Sequence, residues 1–196
     1  ASPYEPVPLT ELEEALLLYL GDSATAVTST RVQAAVLAIE SVLGEDLVDL
    51  VPSYASVLIL YDPLRTDHLS VARRVRGALH RLHDPHAQPA APPRCVVLPV
   101  YYAAEVGADL ESLSARAGLS VQEVIDLHTG TDYRVYAIGF APGFAYLGEV
   151  DERIAAPRLA TPRARVARGS VGIAQRQTAV YPSDSPGGWN LIGRCP

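Results

Sequence analysis

Two arginines, Arg158 and Arg163, flank Thr161-Pro162 in the run PRLATPR. Guanidinium groups held by neighbouring prolines can grip a carboxylate or a phosphate through paired N–H donors. The pair is a candidate for catalytic anion binding. The competing reading is surface pairing with Asp151 or Glu152, and exposed pairs are common and individually weak. His128 closes a predicted helix and could serve as a general base. A helix C-terminus also favours protonated imidazole, so a plain capping role stays open. Phe140, Phe144, Tyr146, Tyr181 and Trp189, with Pro142 and Gly143 between the first two, are of the types that line a ligand groove. Some of them must instead be ordinary core. Thr161, Gln177 and Thr178 are polar groups for the same groove. Ser185-Pro186-Gly187-Gly188 can present backbone N–H groups to an anion, or be only a tight turn. Ser170, in Gly169-Ser170-Val171-Gly172, lacks both the G-x-S-x-G spacing and a nameable neighbouring base, which argues against a nucleophile.

Other chemistries are excluded by what is missing. All 16 basic residues are arginine. A Walker A lysine, a Schiff-base lysine and a Ser–Lys dyad are therefore ruled out within this chain. Cys95 and Cys195 lie far apart with no CxxC spacing, so neither a zinc site nor a disulfide framework is expected, and a reduced, cytoplasmic setting fits. His80, His83 and His86 recur every third residue, with His68 before them, but no accompanying carboxylate supports a metal site, and none is assigned. A net charge of −6 argues against a nucleic-acid binder. No apolar run reads as a membrane span. The segment ASPYEPVPL lacks a basic stretch followed by an apolar core, so no secretory signal is expected.

The chain has 196 residues, 48% of them hydrophobic, enough for a substantial core. Residues 84–94, DPHAQPAAPPR, read as a linker. It divides an expected small α+β domain over 1–86 from a second domain over 87–196. In the first, 14–20 reads as a strand, with a helix as the alternative, and 56–61 as a strand. Residues 31–43 place Val32, Ala35, Val36, Ile39 and Leu43 on one helical face ended by Gly44. Asp67 caps a second helix that buries Leu69, Ala72, Val75, Leu79 and Leu82. This alternation suggests a ferredoxin-like sandwich. In the second domain 95–102 read as a strand with Pro99 at an edge or bulge. Asp109 is a candidate cap for one helix, and Ser120 with Glu123 forms a capping box for another, ended by Gly130. From Tyr133 the pattern turns to period two, as in a β-sandwich or barrel.

The ordered run GFAPGFAYLG (139–148), DER (151–153), PRLATPR (157–163), GSVGIA (169–174), QT (177–178), YP (181–182) and SPGGWNLIGR (185–194) resembles one family. It groups the B subunit of bacterial 5-oxoprolinase, the sporulation kinase inhibitor KipI and allophanate hydrolase subunit 1. The resemblance implies an α+β N-terminal domain followed by a cyclophilin-like β-barrel, with last strands beyond Pro196. It also implies an ATP-dependent hydrolase complex opening the lactam of 5-oxoproline to glutamate. The partners would be the C subunit of 5-oxoprolinase (or allophanate hydrolase subunit 2) and the A subunit, and ATP would act at the level of the complex. Allophanate hydrolysis and KipI-like inhibition of a sensor histidine kinase are the alternatives. Peptidyl-prolyl isomerase activity would rest on fold analogy alone. Departures from the family pattern stand at Ala167-Arg168, at Gln175 and Ala179 where glycine is usual, and at Cys195, and they raise the question of local turn geometry.

Overall fold

The computed structural model describes residues 10–12, 14–23, 25–81 and 94–196. The chain divides into two compact units between Arg94 and Cys95.

In the first unit, strands β1 (Thr10–Leu12), β2 (Ala15–Tyr19), β3 (Leu47–Pro52) and β4 (Ser56–Tyr61) form an antiparallel sheet in the order β1-β2-β4-β3. Helix α1 (Ala26–Leu43) starts five residues before the expected Arg31, because the Thr25 hydroxyl accepts from the Thr28 N–H at 3.1 Å. Gly44, at φ 54, ends it as expected. Val32, Ala35, Ile39 and Leu43 pack on Leu16, Leu18, Val57 and Ile59 of the central strands. Helix α2 (His68–Arg81) is capped as expected by Asp67, whose carboxylate accepts from the Leu69 and Ser70 N–H groups. Leu69, expected in the core, is 67% exposed; it falls in the first turn, off the Val71–Val75 face that meets the sheet. Leu82 lies outside the described residues. Strand β3 escaped the sequence reading because Asp49 and Pro52 break its alternation. By length and mean hydropathy α1 would suit a membrane span, contrary to the sequence reading, but its apolar face is spent on the sheet. From β2 to α2 the order matches a ferredoxin-like unit, with β1 filling the place beside β2 from the N-terminal side.

In the second unit, residues 94–100 belong to no helix or strand, and pairing begins at Tyr101, which exchanges two backbone bonds with Arg194. The expected strand over 95–102 is thus reduced to one bridge; Pro99 has no N–H to give a ladder. Helices α3 (Leu110–Ala117) and α4 (Val121–Thr129) follow, α4 with the complete Ser120–Glu123 capping box and Gly130 at its end. Strands β5 (Arg134–Ile138), β6 (Ala145–Gly148), β8 (Ser170–Ala174), β9 (Gln177–Val180) and β11 (Asn190–Arg194) form an antiparallel sheet in the order β11-β8-β9-β6-β5. Strands β7 (Arg163–Val166) and β10 (Ser185–Gly187) pair separately. Among the described residues these sheets stay open, without barrel closure. The sheet buries one cluster against α3 and α4, around Leu113, Val124, Ile173 and Ile192. A second cluster holds Phe144, Val166, Tyr181, Trp189 and Leu191.

Candidate functional site

The second cluster is where the chemistry gathers. Ahead of it, the loop 139–144 makes two tight turns in succession. The Ala141 N–H donates to the Gly139 carbonyl at 2.8 Å around Phe140, whose φ is 68. That is a γ-turn with its central residue in a rare and strained conformation. The Phe144 N–H then donates to the Ala141 carbonyl at 3.0 Å, with Pro142 and Gly143 (φ 80) as the central residues of a type II turn. Strain in a non-glycine residue persists where the surroundings enforce it, and it concentrates at functional sites. Here its effect is to leave the Phe140 ring 64% exposed while it touches Phe144 edge-on at 5.3 Å.

Phe144 is the hub. Its ring meets Tyr146, Tyr181 and Trp189 edge-on at 4.9, 5.3 and 5.7 Å. The structure therefore brings all five expected aromatic residues together, Phe144, Tyr181 and Trp189 buried and Phe140 at the surface. Gly187 is required at its place in β10: a Cβ there would stand 2.3 Å from the Tyr181 hydroxyl. Burial raises the Tyr181 pKa, opposed by a hydrogen bond from the Trp189 N–H and by the charges of Arg158 and Arg163. Ser185–Gly187 is a strand paired with β7, and the Gly188 carbonyl accepts from the Leu159 N–H.

The two arginines have different surroundings. Arg158 is exposed, and its guanidinium lies 5.8 Å from the Trp189 ring centroid, within cation–π range. No carboxylate pairs with it among the described residues. Arg163 is neutralised. Its Nη2 donates to both oxygens of Asp109 at 2.7 and 2.8 Å, and its Nη1 to the Trp189 carbonyl at 3.3 Å. The Asp109 carboxylate also accepts from the Leu191 N–H at 2.7 Å. Asp109 thus makes no side-chain cap on α3, contrary to the sequence reading, because the half-buried Arg163 guanidinium and a strand N–H claim its oxygens. Asp151 and Glu152, the expected partners of Arg158 and Arg163, pair with Arg153 and Arg176.

His128 lies apart from this cluster, 6% exposed. Its Nδ1 is 2.7 Å from the Tyr102 hydroxyl and its Nε2 is 2.9 Å from the Thr178 hydroxyl. The Thr178 hydroxyl proton goes to the Gly172 carbonyl at 3.0 Å, and a carbonyl only accepts. Thr178 must therefore accept from Nε2–H, and in the neutral ring Nδ1 accepts from Tyr102. The ring is neutral, and burial lowers its pKa to about 4. Burial likewise raises Tyr102, to about 12. The protonated, helix-capping imidazole considered from sequence does not form, because desolvation outweighs the helix end. Both ring nitrogens are engaged within the fold. Tyr102 and Tyr133, whose hydroxyl donates to the His128 carbonyl at 2.8 Å, were not singled out from sequence.

Of the remaining candidates, Thr161, Pro142 and Gly143 are exposed, Gln177 is half-buried opposite Gly148, and Ser170 is buried in β8. Among the described residues no group of three or more His, Cys, Asp or Glu side chains could hold a metal. His83 and His86 lie outside the described residues.

Residues 11–196 match the carboxyltransferase domain, subdomain C and D. The chain belongs to that family. Among its relatives is the B subunit of 5-oxoprolinase from Bacillus subtilis (strain 168), 38% identical over 94% of this chain and 80% of the relative. The protein of the same name from Escherichia coli O157:H7 is 48% identical over 51% of this chain and 46% of its own length. The solved structure of TTHA0988 superposes with a TM-score of 0.79 at 35% identity, over 93% of this chain. This carboxyltransferase-family chain spans only 34% of that protein, so in TTHA0988 the same fold is part of a much longer polypeptide.

Proposed function

We propose that this chain is the B subunit of an ATP-dependent 5-oxoprolinase, acting with the A and C subunits to open 5-oxo-L-proline to L-glutamate. The observation that carries the reading is the 38% identity to the Bacillus subtilis B subunit over nearly the whole chain. On this reading the exposed Arg158, laid over Trp189 beside Tyr181, takes the carboxylate of 5-oxoproline, and the rings of Phe140 and Tyr146, backed by the buried Phe144, receive the lactam. A small anionic heterocycle suits one free guanidinium on an aromatic floor. With no lysine in this sequence, the permanently charged side chains it can offer to ATP phosphates are arginines. His128 holds α4 to β9, and the proton transfers fall to other groups of the complex. We read the open antiparallel sheets of the second unit as part of a cyclophilin-like architecture and the site of action as the cytoplasm, where ATP is available.

The test is 5-oxoproline-dependent ATP hydrolysis by the chain alone and with the A and C subunits. Activity confined to the mixture is the expected result. An assembled complex that hydrolyses allophanate and ignores 5-oxoproline, or a chain that silences a sensor kinase, would replace this reading.

A further inference from the structure

Two guanidiniums border the Tyr181 hydroxyl, yet only one is available to a ligand. Arg163 turns Nη1 and Nη2 inward, and its side chain is 28% exposed against 11% for Asp109. Three short bonds, two from Arg163 and one from the Leu191 N–H, fix the carboxylate in place. The pair sums to zero charge beside the Trp189 backbone. Arg158, over the ring of the same tryptophan, has no carboxylate partner among the described residues.

We infer that Asp109 determines specificity at the Arg158–Trp189 site: by pairing with the Arg163 guanidinium it leaves Arg158 as the site's one unpaired cation among the described residues, so the site accepts a monocarboxylate and disfavours a dicarboxylate. The inference rests on the reading of this site as the carboxylate subsite. Its consequence for a ring-opening reaction is direct. 5-Oxoproline carries one carboxylate, and addition of water across the lactam C–N bond creates a second one on the γ-carbon and frees the α-amino group as an ammonium. A site with a single free guanidinium holds the substrate and does not gain affinity for the product. A site with two would gain it, and would be inhibited by what it makes. Asp109 is a positioning residue in this scheme, acting through Arg163 without touching the ligand.

The experiment measures binding of 5-oxoproline and of glutarate, a dicarboxylate probe, through the fluorescence of Trp189, the single tryptophan of the chain. Asp109→Asn keeps an oxygen for the Leu191 N–H and removes the charge. The expected result is a shift of the glutarate-to-5-oxoproline affinity ratio towards glutarate by about fivefold to tenfold, the worth of one more partly exposed charge pair. Adding Arg163→Gln should return the ratio to that of the wild type. A merely structural Asp109 would weaken both probes in parallel and leave the ratio unchanged, which overturns the inference. If Asp109→Asn does not fold, the wild type decides: glutarate binding more tightly than 5-oxoproline overturns it, and the reverse order supports it. A wild type that binds neither probe also overturns it, while 5-oxoproline-dependent ATP hydrolysis by the assembled complex would show that the function itself stands.

Discussion

Lowering the pH from 7.5 to 5, above the range where the carboxylates titrate, should loosen the second unit chiefly through His128, by an amount the structure specifies. In the unfolded chain this histidine titrates near 6.5, and in the fold burial lowers it to about 4. The folded state therefore binds fewer protons between those values, and stability is lost as pH falls. The stabilisation is fully present above about pH 6.5, declines through the window, and is exhausted below about pH 4. With 1.36 kcal/mol for each pKa unit, the full loss is about 3 kcal/mol, of which about 2 kcal/mol appears between pH 7.5 and pH 5. Trp189 lies in the second unit, so denaturant unfolding followed by its fluorescence reads that unit without interference from the first. The measurement compares wild type with His128→Gln across pH 7.5 to 5. The variant starts lower, having lost the relay, but its profile should lack the histidine component. Parallel profiles for the two proteins, or a directly titrated His128 pKa of 6 or above, would refute the assignment of a neutral, desolvated ring.

Other perturbations separate the roles of the site residues. Arg158→Ala should lower kcat/KM of the assembled complex for 5-oxoproline by roughly tenfold to a hundredfold, the worth of a charged hydrogen bond, with the melting of the isolated chain unchanged. Arg163→Ala should instead destabilise the second unit by about 3 kcal/mol in denaturant titrations, because Asp109 is left buried without its partner. Gln175→Gly should stabilise by about 1 kcal/mol, since Gln175 opens the two-residue turn between β8 and β9 at φ 54. Phe140→Gly relieves the same kind of strain, so thermal stability should hold while 5-oxoproline turnover falls. A loss of stability without loss of turnover would make that ring a packing element.

Much of the site was legible from residue types because aromatic residues, prolines and glycines carry their own geometric demands. Pro142-Gly143 specifies a turn, and the turn brings Phe144 into the cluster. The departure at Gln175 also registered correctly as a question of turn geometry, and the structure answers it with a strained φ. The charge pairing was not legible. Asp109 and Arg163 are 54 residues apart, and nothing local distinguishes a helix cap from a long-range partner for a guanidinium. The neutrality of His128 was hidden for a related reason: position at a helix end is visible in sequence, whereas desolvation depends on Tyr102 and Thr178, brought together by the fold. In the first unit the short strand β3 was masked by Asp49 and Pro52, and it was fixed by its register against β4.

The hydrogen-bond chain that starts at Gly172 has a polarity, and that polarity comes from the main chain. Because the carbonyl cannot give a proton, it decides which way Thr178 points, which nitrogen of His128 is protonated, and which way the Tyr102 hydroxyl turns. If β8 moved far enough to break that first contact, Thr178 would be free to reverse, and the imidazole could exchange tautomers with both its neighbours following. A displacement of one strand would then be converted into a change of chemical identity at the end of a helix. The arrangement is a mechanical input with a protonic output, written in four groups and read from one backbone oxygen.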